Sequence, residues 1–126
     1  MNLSDNTLPD ADLPELAAYL GGRGPGLTPA GDDCLAGLFL VAHLTGSDVT
    51  ALADTVPTND ISLAFLHWAA RGQSIEPVHR LLMSGDRASA DRALDDLLRF
   101  GHSSGADLAL GLRVGAQRLC NGGRAH

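Results

Sequence analysis

The chain has 126 residues, of which 44% are hydrophobic, 19% charged and only 4% aromatic. This composition excludes a disordered chain and leaves room for one domain with its own core, built mainly from Leu, Ala and Val. The formal charge of −6, with no basic run, excludes nucleic acid as a partner.

Residues 1–10 read as a flexible lead-in. Met1-Asn2-Leu3-Ser4-Asp5 lacks the basic start and apolar stretch of a signal peptide, so the expected location is cytoplasmic. Asp12 offers an N-cap, with Pro14 and Glu15 in the first turn of a short helix that ends at Gly21-Gly22. A loop of glycines and prolines follows, closed by Asp32 and Asp33. The spacing then predicts a helix over about 32–45, stopped by Gly46. It is apolar nearly all round apart from His43, which makes it central to the fold or covered by another chain. Its apolar run, Cys34 to Leu44, is shorter than the roughly 20 residues that span a bilayer, so no membrane partner is expected.

Ser47-Asp48 can cap a short segment through Asp54, ended by Pro57. Thr58 then caps a helix over about 59–71, with Gly72 beyond it. Within that helix Ile61, Ala64, Phe65 and Trp68 follow i, i+3, i+4, i+7 spacing and are expected to face the core. Ser74 caps the next helix, with Glu76 and Pro77 in its first turn and Gly85 after it. Ser89 opens a helix carrying Leu94, Leu97 and Leu98, and the last helix runs from about Ser103–Gly105 to Leu119. No stretch alternates with period two. The expectation is an all-α fold: a single compact domain of five to seven helices over about 11–121 around the buried central helix, with a flexible tail at 122–126. Cys34 and Cys120 lie far apart without metal-ligand spacing and read as reduced, buried thiols.

Two segments can carry chemistry. The first, Gly21 to Asp33, gives up side-chain packing for loop backbone that can approach a ligand closely. The second is Gly101-His102-Ser103-Ser104-Gly105-Ala106-Asp107, again rich in small residues and placed just before a helix. If the two converge, two helix N-termini with free N–H groups face one cavity, where a phosphate or carboxylate fits. Paired carboxylates repel such a guest. A bridging Mg²⁺ on Asp32 and Asp33 removes the conflict, as does protonation of one carboxylate or a neutral amide ligand. Asp32 and Asp33 project about 100° apart on a helix, so they divide the work, one capping and one reaching a ligand.

His102 has a side chain suited to general acid–base work. Ser103 and Ser104 have no base and orienting acid in the sequence that would make a nucleophilic triad. The candidate catalytic residues are therefore Asp32, Asp33 and His102. The candidate ligand-binding residues are Gly22, Arg23, Gly24, Gly26, Thr28, Gly31, Thr58, Ser103, Ser104, Gly105 and Asp107. The sequence contains no lysine, and Arg23 is the candidate for a two-pronged grip on a phosphate or carboxylate.

Gly22 through Asp33, read as Gly-x-Gly-x-Gly-Leu-Thr-Pro-x-Gly-Asp-Asp, resembles the signature of a bacterial family that includes a subunit of anaerobic oxamate carbamoyltransferase from allantoin degradation. The resemblance continues through Thr58-Asn59-Asp60-Ile61-Ser62, Ala69-Ala70-Arg71-Gly72, Gly101 to Asp107, and Gly111. Asn59 stands where another threonine is expected, and Cys34 where an aromatic or apolar residue is common. The resemblance implies a helical domain that works with partner subunits; assembly as a homo-oligomer is the other expectation for its partners. It also implies a reaction moving a carbamoyl group between phosphate and the nitrogen of oxamate. Longer relatives carry an N-terminal half, so the expectation here is a minimal member or a half completed by another polypeptide. Two other readings stay open: a non-catalytic module that docks on partner enzymes, and a Mg²⁺-dependent hydrolase resting on Asp32, Asp33 and Asp107.

Overall fold

The computed structural model describes residues 3–101 and 103–120. The expectations for His102, for residues 121–126 and for the Cys120 thiol lie outside the described residues. The described residues form seven α-helices: α1 (Leu13–Leu20), α2 (Ala30–Leu44), α3 (Thr50–Asp54), α4 (Asp60–Ala70), α5 (Glu76–Met83), α6 (Arg87–Leu98) and α7 (Ser104–Gly115). The last of these passes into a π-helical turn, Ala116–Cys120. There is no strand among the described residues, and the all-α expectation holds. No helix among them is long and apolar enough to cross a membrane.

Several helices start where short polar side chains meet free N–H groups. Asp12 Oδ1 accepts from Glu15 N at 3.0 Å, and Asn59 Oδ1 accepts from Ser62 N at 2.9 Å. Asp86 Oδ1 accepts from Ser89 N at 2.7 Å. Each such cap contributes about 1 kcal/mol. Asn59, rather than Thr58, therefore caps α4, and Asp86, rather than Ser89, caps α6. Ser74 caps nothing: α5 begins after Ile75 with no side-chain cap, and the Ser74 N–H donates to His79 Nε2 at 3.2 Å. Glycine at positive φ ends two helices, with Gly46 at 93° and Gly72 at 82°.

Helix α2 is the centre of the molecule. Ten of its fifteen residues are buried, and Phe39, Leu35 and Cys34 are fully enclosed. Burying a side chain such as Phe39 is worth roughly 1.5–3 kcal/mol, which makes this helix the main apolar store of the fold. Helices α1, α4 and α7 all pack on it. The α2–α7 seam is unusually tight, because glycines from both helices meet there. A Cβ on Gly111 would overlap the Cys34 carbonyl, and one on Gly37 would lie 2.5 Å from the Leu108 carbonyl oxygen. The outer helices α5 and α6 pair with each other, and α6 joins them to α7. Arg80 ties this pair together, lying 2.6 Å from Glu76 and 2.7 Å from Asp96.

The residues before α1 lie against the C-terminal part of the chain. Leu8 is buried in the core, and Arg118 donates to the carbonyls of Pro9 at 2.6 Å and Leu8 at 3.3 Å. Asp5 sits 3.2 Å from Arg113.

The expected core face of α4 is overturned as well. Ile61, Ala64, Phe65 and Trp68 do not face the core. Ile61 is 48% exposed and Phe65 and Trp68 are each 53% exposed, while Ser62, Leu66, Ala69 and Ala70 form the buried face of α4. The reason is size. Alanines let α4 approach α2 closely, whereas aromatic side chains at that seam would hold the helices apart.

Candidate functional site

The sequence brings its two small-residue loops to the same end of the α2–α7 pair. Helix α2 begins at Ala30, two residues earlier than expected, with Pro29 at its cap position and no side-chain cap. Asp32 and Asp33 therefore lie inside its first turn, where neither caps it, and they turn to different neighbours. Asp32 is buried, and both its oxygens are engaged. Oδ1 accepts from Gly22 N at 2.8 Å, and Oδ2 accepts a short hydrogen bond from the Thr58 hydroxyl. Gly22 itself has φ of 71°, and a Cβ there would come within 2.5 Å of the Pro57 carbonyl oxygen. Asp32 thus clips the glycine loop to the loop that precedes α4. Asn59 reinforces the clip by donating from Nδ2 to the Leu27 carbonyl at 2.9 Å.

Asp33 faces a different environment. It borders a cleft of about 360 Å³ whose polar members are Thr28, Asp33, Gln73, Ser74 and Ser104. The apolar wall is made by Phe65, Trp68 and Ala69 of α4, by Ile75 and Phe100 at the two ends of the α5–α6 pair, and by Ala36 and Leu108. The Thr28 and Ser104 hydroxyls lie 3.2 Å apart, joining the first loop to the start of α7. Asp33 Oδ2 is buried and has no hydrogen-bond partner. Burial pushes the Asp33 carboxyl up to about 7, with Asp107 and Asp32 adding repulsion and the Ser104 and Thr28 hydroxyls opposing the rise. Asp107, one turn into α7, is also raised by burial, opposed by Ser103, and its Oδ2 likewise has no partner. Cys34 is buried beneath this region, and burial, with Asp107 next in weight, pushes its thiol up to about 12. Such a thiol stays protonated and inert.

The other sequence candidates take up separate positions. Arg23 folds back on α1: its Nε donates to the Tyr19 carbonyl at 2.8 Å and its guanidinium lies 4.1 Å from the Tyr19 ring centroid. Gly22, Arg23, Gly24 and Gly26 do not border the cleft, and neither do Ser103 and Asp107. Gly31 and Gly105 serve close packing, since a Cβ on either would overlap the carbonyl of Leu20 or of Leu97. Thr58 is the partner of Asp32. Of the proposed residues, Thr28, Asp33 and Ser104 meet at the cleft. Sequence reasoning misses the aromatic wall of Phe65, Trp68 and Phe100. The ring-bearing stripe of α4 is visible in residues 61–70, but nothing local there ties it to Phe100 or to the cleft.

A cation bridging Asp32 and Asp33 does not suit this donor set. The Asp32 oxygens are already taken, and no three His, Cys, Asp or Glu side chains among the described residues are grouped to hold a metal ion. What the cleft offers is a carboxyl poised near neutrality, two hydroxyls beside it, and an aromatic wall opposite. It suits an amide-bearing molecule, because a half-protonated carboxyl can both accept from N–H and donate to C=O.

No solved structure matches the chain. The family model described as oxamate carbamoyltransferase subunit AllH matches residues 20–116, a span that runs from the end of α1 through α7 and includes every polar residue of the cleft. The chain belongs to this family of oxamate carbamoyltransferase subunits.

Proposed function

We propose that the cleft receives the amide-bearing substrate of a carbamoyl transfer, and that Asp33 is the group that handles its proton. In the direction of synthesis, the amide nitrogen of oxamate attacks the carbamoyl carbon of carbamoyl phosphate. The bond from that carbon to the phosphate oxygen breaks, phosphate leaves, and the attacking nitrogen loses a proton. Asp33, with its carboxyl raised to about 7, is matched to accept that proton near neutral pH and to return it in the reverse direction. Thr28 and Ser104 hold the amide beside it, so that much of the acceleration comes from positioning. Asp32 is a positioning residue, fixing the loop that carries Thr28.

The observation that carries this reading is the buried, unpartnered Asp33 Oδ2 at the edge of a cleft. A buried acceptor without a partner costs about 1–3 kcal/mol, a cost that a bound N–H donor relieves. The test is Asp33→Asn in the reconstituted enzyme, following oxalurate formation from oxamate and carbamoyl phosphate. Turnover is expected to fall about 10²- to 10⁴-fold with the fold intact. Unchanged turnover removes Asp33 from the chemistry.

A further inference from the structure

The sequence holds five aromatic side chains in all: three Phe, one Tyr and one Trp. Only Phe39 is spent on the core. Phe65, Trp68 and Phe100 stand around the mouth of the cleft, each about half exposed, and Ile61 continues the stripe one turn up α4 at 48% exposure. Aromatic side chains left at a surface in this density are characteristic of an interface centre. Among the described residues the cleft behind them is also electrostatically unfinished: no arginine borders it, Asp33 is its one ionisable member, and Asp107 adds repulsion there. Oxamate and carbamoyl phosphate are both anions, and such a floor repels them at neutral pH.

We propose that a different subunit of the same enzyme seats an apolar ridge on Ile61, Phe65, Trp68 and Phe100. That subunit brings a cationic side chain to the cleft and completes the substrate site. The cationic part rests on the carbamoyl-transfer reading above; the docking part does not. A second copy of this chain is the poorer occupant. Two-fold pairing through this face would set the acidic cleft of one copy against that of the other, in a chain of net charge −6. A subunit of opposite charge at the contact meets both needs together, covering the rings and balancing the carboxyls.

Trp68 is the only tryptophan, so it reports on this face directly. With the chain labelled with 5-fluorotryptophan, the ¹⁹F resonance is expected to shift when the other subunits of the oxamate carbamoyltransferase are added. Trp68→Asp and Phe65→Asp, checked for helicity by circular dichroism, are expected to weaken that association tenfold or more. Oxamate is expected to bind the assembled enzyme, followed by calorimetry, and not the isolated chain. An unmoved ¹⁹F resonance in a complex that forms normally overturns the proposal. So does an isolated chain that already dimerises and is dissociated by Trp68→Asp, since that identifies a second copy as the occupant. Oxamate binding equally well to the isolated chain overturns the claim that the partner completes the site. The ¹⁹F measurement uses the unaltered sequence, so it decides the matter even if a variant fails to fold. Association that survives Asp33→Asn while turnover falls supports both readings. Turnover lost in Trp68→Asp with association intact overturns the docking surface and leaves the role of Asp33 standing.

Discussion

Thr28 and Ser104, 76 residues apart in the chain, meet hydroxyl to hydroxyl at 3.2 Å. That contact closes the polar end of the cleft and sets two hydroxyls beside Asp33. The loop after α1 leads into α2, and Ser104 opens α7; the two are joined there because α2 and α7 pack on each other.

The raised Asp33 carboxyl makes stability depend on pH in a defined direction. The folded chain holds this proton up to about pH 7, whereas an unfolded aspartate loses it near 3.8. Between those values the native state binds more protons, so this residue lowers stability as pH rises from about 4 to about 7. Asp33→Asn removes the effect. Thermal melts should coincide for the two proteins near the acid end of that window and separate above its upper end, with the Asp33→Asn variant the more stable. Because the group is partly solvated, the gap is on the order of 1–2 kcal/mol. A constant difference across that range contradicts the assignment.

The same proton should govern substrate. A carboxylate substrate is expected to bind the assembled enzyme more weakly at pH 8 than at pH 6, as the Asp33 charge develops. In Asp33→Asn this change should flatten. Calorimetric titration of oxamate at both pH values measures it.

Asp32 is expected to matter for folding and for loop position. Asp32→Ala leaves the Gly22 N–H and the Thr58 hydroxyl without their acceptor in a buried position. The expected loss is about 2–4 kcal/mol in urea unfolding. Thr58→Val removes one of the two bonds and should cost less, about 1 kcal/mol. Equal losses would mean that the Gly22 bond contributes nothing.

Cys34 is predicted to resist alkylation. Its thiol, raised to about 12 and fully enclosed, should remain unmodified by iodoacetamide at mildly alkaline pH and react only in denaturant. Mass mapping of the peptide that contains Cys34 reads this directly, independently of Cys120.

Much of the architecture is legible in the sequence because helix ends are local. Asp12, Gly46 and Gly72 act through their own backbone neighbours, and each does in the structure what its residue type implies. The helix over 32–45 is legible because an element apolar on all sides has only one place to go. The face of α4 is not, because two apolar stripes run along the same helix. Periodicity does not rank Ile61, Phe65 and Trp68 against Leu66, Ala69 and Ala70. The choice is made by how closely α2 can approach, a tertiary property that favours alanine. The division between Asp32 and Asp33 is readable from their angular separation. Which of them meets the cleft depends on Thr58, 26 positions away from Asp32. The aromatic wall draws on residues from α4 and from both ends of the α5–α6 pair, and no local pattern announces such a meeting.

The glycine seam between α2 and α7 has a mechanical consequence. With Gly37 and Gly111 in backbone contact there is no side chain to repack, so these two helices act as a rigid anvil with Asp33 and Ser104 mounted on it. Helices α5 and α6 rest on that anvil chiefly through α6, yet the segments at both their ends, Gln73–Ile75 and Phe100, form cleft wall. The width of the cleft is therefore set by the walls that α4 and the α5–α6 pair supply, while Asp33 and Ser104 keep a fixed spacing on the anvil.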